Sequence, residues 1–235
     1  MSAFAWLQRR GPQLDAAQQA RLAALPSAAG FDEQPLAAQR LVVVDLETSG
    51  LDPRRDQLLS IGAVVIANGA IDLAQQYECT LHCAAHRAGA STLIHGLAPS
   101  AIAAGAPPGE ALLGFLEFLG ASPLLAFHAG FDRHVLVRAV KQHLGLRLRH
   151  GFLDVAELAP LLCPQAELTH AGLDDWTRHF GLQVAERHHA SADALVTAEI
   201  ALILFSRARR QGLDSLAALN RRLHVWRHRA QAPSL

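Results

Sequence analysis

Residues 41–46, Leu-Val-Val-Val-Asp-Leu, constrain the fold more than any other stretch of this chain. The run is rich in β-branched residues and apolar at both odd and even positions. A strand of that kind must be covered on both faces, as a buried strand is. Residues 58–66 (LLSIGAVVI) repeat the pattern, and residues 75–82 (QQYECTLH) predict a third strand. The short links between these three imply an antiparallel meander. Farther on, strands at 123–127 and 151–155 alternate with helices at 109–119, from Asp132 to Leu144, at 157–162 and at 173–182. A long periodic helix at 191–211 and a last one at 213–230 complete the order. Strands that first run antiparallel and then alternate with helices predict an α/β fold with a mixed five-stranded sheet flanked by helices.

Three regions are expected. Residues 1–40 are a helical N-terminal extension and linker, broken by Pro26 and Gly30. Residues 41–205 hold the sheet domain, and 206–235 form a basic C-terminal helical extension. Apolar residues make up 51% of the chain and charged ones 18%, enough for a core and too few charges for a disordered chain. Twenty-one basic and 21 acidic residues cancel, so any contact with a polyanion must be local. Three cysteines do not make a disulfide framework and fit a reducing cytoplasm. The opening residues MSAFAWLQRR lack the apolar run of a signal peptide, and no stretch approaches the ~20 apolar residues of a membrane span. The chain is therefore expected to be cytoplasmic, without a membrane partner. Lys141 is the only lysine and lies in no glycine-rich phosphate loop, which excludes a P-loop.

The first strand ends in Asp45 and Glu47, one residue apart. Residues i and i+2 of a strand share a face, so two acids leave an apolar strand together. Asp132 stands at a strand–loop–helix junction, and Asp193 follows His188 by five positions where the long helix begins. Each has an ordinary reading: a solvated strand end for the first pair, a helix cap for the others. Taken together, four carboxylates from three segments can hold two hard divalent cations. A pair of such ions stabilises the attacking and departing oxygens at a phosphorus centre, and a neutral histidine can accept the proton of water.

Four segments resemble one family. VVVDLETSGLDPRRDQLLSIGAVVI, AFHAGFDRHVL and RHHASADALVTAEI are similar, in order, to the three motifs of the DnaQ-like (DEDDh) 3′→5′ exonucleases, which include the proofreading ε subunit of bacterial DNA polymerase III. IHGLAPSAI, from Ile94, resembles the segment between the first two motifs. The resemblance covers residues 41–205. It implies a ribonuclease-H-like fold and a metal-dependent 3′→5′ exonuclease that releases nucleoside 5′-monophosphates from single-stranded or frayed DNA ends, in proofreading or repair. It implies two Mg²⁺ or Mn²⁺ ions on Asp45, Glu47, Asp132 and Asp193, with His188 as general base. By the same resemblance Asp45 bridges both ions, Glu47 and Asp193 share the ion that activates water, and Asp132 supports the other. Expected partners are single-stranded DNA or RNA 3′ ends and a DNA polymerase. An RNA-directed exoribonuclease of the same family, and a non-catalytic module binding nucleic acid or a polymerase, are the alternatives.

The resemblance also assigns Thr48, Ser49, Gly50 and Leu51 to the terminal nucleotide, with Leu51 as an apolar wedge, and adds His95, His128 and Phe131. His128 stands where the ε subunit carries an amide, a departure that bears on substrate fit. His189, next to His188, is the rival base. Tyr77, the only tyrosine, lies in the third strand, which excludes the tyrosine-based sister family. Cys79, His82, Cys83 and His86 mimic a zinc pattern, but alternating strand positions favour packing. Seven arginines after Ser206, with Trp226 among them, suggest either a phosphate track or a solvated helix whose tryptophan packs on the domain.

Overall fold

A computed structural model describes residues 12–84, 96–184 and 187–230. The sheet runs β3-β2-β1-β4-β5, with β1 Leu41–Thr48, β2 Leu58–Ala67, β3 Ala70–Thr80, β4 Leu124–Ala126 and β5 Phe152–Asp154. β1, β2 and β3 pair antiparallel, whereas β4 lies parallel to β1 and β5 parallel to β4. The mixed five-stranded sheet expected from the sequence is therefore present, with β1 at its centre.

Both faces are covered, as the Leu41–Val44 run requires: all four residues are fully buried. Burying such side chains contributes about 1.5–3 kcal/mol each. Leu41 and Val43 face one layer, built from α5 Val155–Leu162, α6 Leu173–Phe180, α7 Ala190–Arg210 and α8 Leu216–Ala230. Val42, Val44 and Leu46 face the other, built from α3 Pro108–Leu119 and α4 Ala129–Leu144. A nine-residue N-terminal helix, α1 Ala16–Ala24, starts in a capping box at Asp15. It packs Leu22 on that second layer, and Arg21 pairs with Glu110 and Glu117 of α3.

Several boundaries differ from expectation. β3 begins at Ala70 rather than Gln75, because Asn68 and Gly69 both take positive φ (53° and 72°) and close a two-residue hairpin. The polar edge character of Asp72, Gln75 and Gln76 hides that start, since an edge strand need not be apolar. α4 begins at Ala129, not Asp132, so Asp132 is a buried residue of the first turn rather than a cap. A short helix, α2 Pro99–Ala103, lies in a stretch without a periodic apolar pattern. Among the described residues no helix is long and apolar enough to cross a membrane.

Candidate active site

Asp45 and Glu47 continue the odd-numbered row of β1, so they point toward the layer that contains α7. The strand thus turns from apolar to acidic on one face without changing direction. Opposite Asp45 in the register stands Gly62 of β2. A Cβ at Gly62 would lie 2.1 Å from the carbonyl carbon of Ala190 and 2.2 Å from the amide nitrogen of Ser191. Gly62 therefore lets the first turn of α7 press on the sheet, which brings Asp193 to the acids of β1. Glu78 of β3 fixes the same turn: it accepts a hydrogen bond from the Ser191 hydroxyl at 2.7 Å and faces Nε2 of His189 at 3.4 Å.

The second motif arrives from β4. His128 adopts a left-handed conformation (φ 62°, ψ 47°), and its N–H donates to the Asp154 carboxylate at 3.2 Å. Asp154 also caps α5 by accepting from the Ala156 N–H at 3.0 Å. This bend starts α4 so that Asp132, 5% exposed, faces inward at the strand ends.

Asp45, Glu47, Asp132 and Asp193 share one poorly solvated neighbourhood. Burial, followed by the charges of Asp132, Glu47 and Asp193, raises the pKa of Asp45 well above the carboxylate range. Burial and then Asp193 push Glu47 up to about 8. Burial, with Asp154 and Glu47 adding, pushes Asp132 up to about 8. Four acids so placed repel one another, and cations offset that repulsion. One cation is already there: Arg187 pairs with Asp193 and with Asp174 of α6. Its charge opposes the rise at Asp45 and Glu47. Among the described residues no three His, Cys, Asp or Glu side chains stand together as a group that could hold a metal ion. The oxygen-only donor set of the four acids nevertheless suits hard divalent ions.

His188 is exposed beside the cluster, with φ 61°, and its N–H donates to the Asp193 carboxylate at 3.2 Å. His189 instead turns to Glu78. The loop after β1 is held by its own side chains. Thr48 donates to the Gly50 carbonyl at 2.6 Å, and Ser49 donates to the Asp56 carboxylate at 2.9 Å. A Cβ at Gly50 would meet that same carboxylate at 2.6 Å. These residues build the loop, and Leu51, 88% exposed, is what the loop displays. His128 is exposed and Phe131 half-buried against α4's layer. His95 and His86 lie outside the described residues. His82 is engaged with the Ala103 carbonyl at 2.8 Å and Cys83 with Gln57. Trp226 packs on the core, and Arg221 and Arg227 of α8 are paired with Glu33 and Glu157, so the packing reading of that helix holds for these residues.

Gly62, Glu78, Asp154 and Arg187 were not singled out from the sequence. A glycine inside an apolar strand does signal close approach. Glu78 and Asp154 act on partners distant along the chain, and Arg187 joins Asp193 to Asp174 of α6, which no local pattern reveals.

Known proteins share this arrangement of strands and helices. A profile of the RNase T exonuclease family matches residues 42–201. The PolC-type DNA polymerase III of Thermotoga maritima is 30% identical over 190 residues, 81% of this chain and 14% of that protein. The DNA polymerase III subunit epsilon-like protein of Rhodobacter capsulatus is 30% identical over 190 residues, 80% of this chain and 27% of that protein. The chain thus spans well under a third of these two relatives. Among solved structures, E. coli exonuclease I in complex with a dT13 oligonucleotide superposes with a TM-score of 0.62 at 15% identity, over 74% of this chain and 42% of that one. Exonuclease X in complex with 5′ overhanging duplex DNA gives 0.58 at 19% identity, over 71% of this chain and 91% of that one. These two likenesses are likenesses of fold.

Proposed function

Since the chain belongs to the RNase T family of exonucleases, we propose that it is a metal-dependent 3′→5′ exonuclease acting on single-stranded or frayed DNA ends. One observation carries this reading: acids from β1, α4 and α7 meet in a desolvated cluster whose mutual repulsion favours added positive charge. Asp45, Glu47, Asp132 and Asp193 are the residues to hold Mg²⁺ or Mn²⁺. Bound there, such ions would stabilise negative charge at the phosphate and promote ionisation of water.

The remaining work falls to the chain itself. The Leu51 loop and the start of α4, with His128 and Phe131, bracket the last nucleotide. Leu51 presents an apolar surface against its base, which separates the terminal nucleotide from its stack. His188 accepts a proton from the attacking water. A P–O bond forms to that water and the P–O3′ bond of the preceding nucleotide breaks. The leaving 3′-oxygen takes up a proton, and a nucleoside 5′-monophosphate departs. Asp154 and Glu78 place α4 and the first turn of α7 relative to β1, and so set the distances on which this depends. Likeness to polymerase III components supports a polymerase partner as part of the proposal.

The test is digestion of a 3′-labelled single-stranded oligonucleotide with Mn²⁺ or with EDTA, with products resolved by chromatography. Nucleoside 5′-monophosphates should appear only with the metal, and Asp45→Asn should abolish them while leaving a cooperative thermal transition. Turnover in Asp45→Asn equal to that of the wild type would overturn the reading. An RNA strand of the same sequence, run in parallel, separates the deoxyribonuclease from the exoribonuclease alternative.

A further inference from the structure

We propose that the outer face of α4, with the end of the β1–β2 loop, is a track for the phosphates of the strand upstream of the cleaved end. This rests on the exonuclease reading above and extends it to how the substrate is held. Arg54 of the loop and Arg133 and Lys141 of α4 line one open groove of about 450 Å³, floored in part by Pro53 and Val137. All three cations are exposed. Among the described residues none of their side chains has a carboxylate or hydrogen-bond partner. Arg21, Arg178, Arg187, Arg221 and Arg227 each have one.

The acids nearby are outnumbered: Asp52 and Asp56 of the loop stand against Arg54, Arg55, Arg133, Arg138 and Lys141. α4 carries one carboxylate, Asp132, and it is turned inward to the acid cluster. Asp56 is occupied within the loop by the Ser49 hydroxyl and the Asp52 N–H at 2.7 Å. Asp52 accepts from the Arg54 N–H at 2.9 Å and faces Arg55 at 3.7 Å. Arg138, from the same wall, donates to the Arg54 carbonyl at 3.0 Å and to the Asp56 carbonyl, so it ties the loop to α4 and fixes the groove's shape.

The groove also starts in the right place. Arg133 directly follows Asp132 in the chain, and Lys141 lies eight residues beyond it, at i+8 on a helix. Those eight residues cover about 12 Å at 1.5 Å each, long enough to meet more than one phosphate of a strand laid along the helix. A strand whose last phosphate rests at the acid cluster can lay the next ones along these cations. The rival basic surface, Arg207, Arg210 and Arg222, flanks the far end of α7. Arg207 and Asp193 are fourteen helical residues apart, about 21 Å. With zero net charge on the whole chain, a local row of unpaired cations is what would attract a strand.

The experiment compares wild type, Arg133→Gln/Lys141→Gln and Arg210→Gln/Arg222→Gln on a single-stranded 15-mer and on a dinucleotide, with Mn²⁺, over a range of salt. For the α4 variant, KM on the 15-mer should rise about tenfold at low salt. The slope of log KM against log salt should flatten by about 1.4, at ~0.7 for each phosphate no longer neutralised. The dinucleotide is too short to reach the groove, so its kcat/KM should not change, and the α7–α8 variant should match wild type on both. An α4 variant with wild-type KM on the 15-mer, or one equally impaired on both substrates, overturns the track. Wild type that degrades neither substrate would instead sink the exonuclease reading.

Discussion

Replacing Gly62 with alanine tests whether the contact between β2 and the start of α7 assembles the site. The new methyl would lie 2.1 Å from the Ala190 carbonyl carbon, 2.2 Å from the Ser191 nitrogen and 2.5 Å from the Ala190 oxygen. All three are backbone atoms, so no side-chain rotation relieves the clash. The first turn of α7 must retreat by about 1.3 Å or more to reach ordinary contact at 3.4 Å. Asp193 lies in that turn and His188 just before its N-cap, and a misplacement of even 1 Å costs on the order of 10²-fold in rate. Overpacking should also cost about 1–3 kcal/mol of stability. The usual gain from alanine over glycine inside a strand, about 0.5–1 kcal/mol, works in the opposite direction. Initial rates on a single-stranded oligonucleotide and thermal melts measure the two effects. Gly30→Ala, where a Cβ meets nothing within 4 Å, is the control and should leave both unchanged. If Gly62→Ala keeps its rate within about threefold of the control, well short of that loss, the claim that this close approach sets the site is wrong.

The acid cluster gives a pH signature. Glu47 and Asp132 hold protons up to about pH 8 in the fold, but release them near 4 in the unfolded chain. Metal-free stability should therefore decline as pH rises from about 4 to about 8, and level off above that. Affinity for Mn²⁺ should climb over the same window, because the ligands must be deprotonated. Melts at several pH values with EDTA and with Mn²⁺ test both trends, and a metal-free melting temperature that does not fall would contradict the cluster's electrostatics. The two adjacent histidines should also separate. His188→Gln should lose about 10²-fold or more in kcat, whereas His189→Gln, whose ring faces Glu78 rather than the acids, should stay close to wild type.

Much of this was legible in the sequence because local rules set it. The double-faced apolar run at Leu41–Val44 dictated a buried strand, and the sheet order places it at the centre. The one-residue spacing of Asp45 and Glu47 dictated a shared face. The helix start between His188 and Asp193 followed from the onset of periodicity. What was not legible depends on distant partners. The left-handed His128 is fixed by Asp154, 26 residues away, and that contact moves the start of α4 upstream of Asp132. The hydroxyls of Thr48 and Ser49 looked available for substrate, yet they are taken up by a loop whose folding back on Asp56 no spacing rule predicts. The setting of Arg187 has the same origin, since Asp174 reaches it from α6.

Arg187 gives the carboxylates a resident counterion supplied by the polypeptide itself. On the metal-dependent reading proposed above, the fold should then not need a divalent ion to form. A chelator should silence such an enzyme without unmaking it, and returning the ions should revive it without refolding.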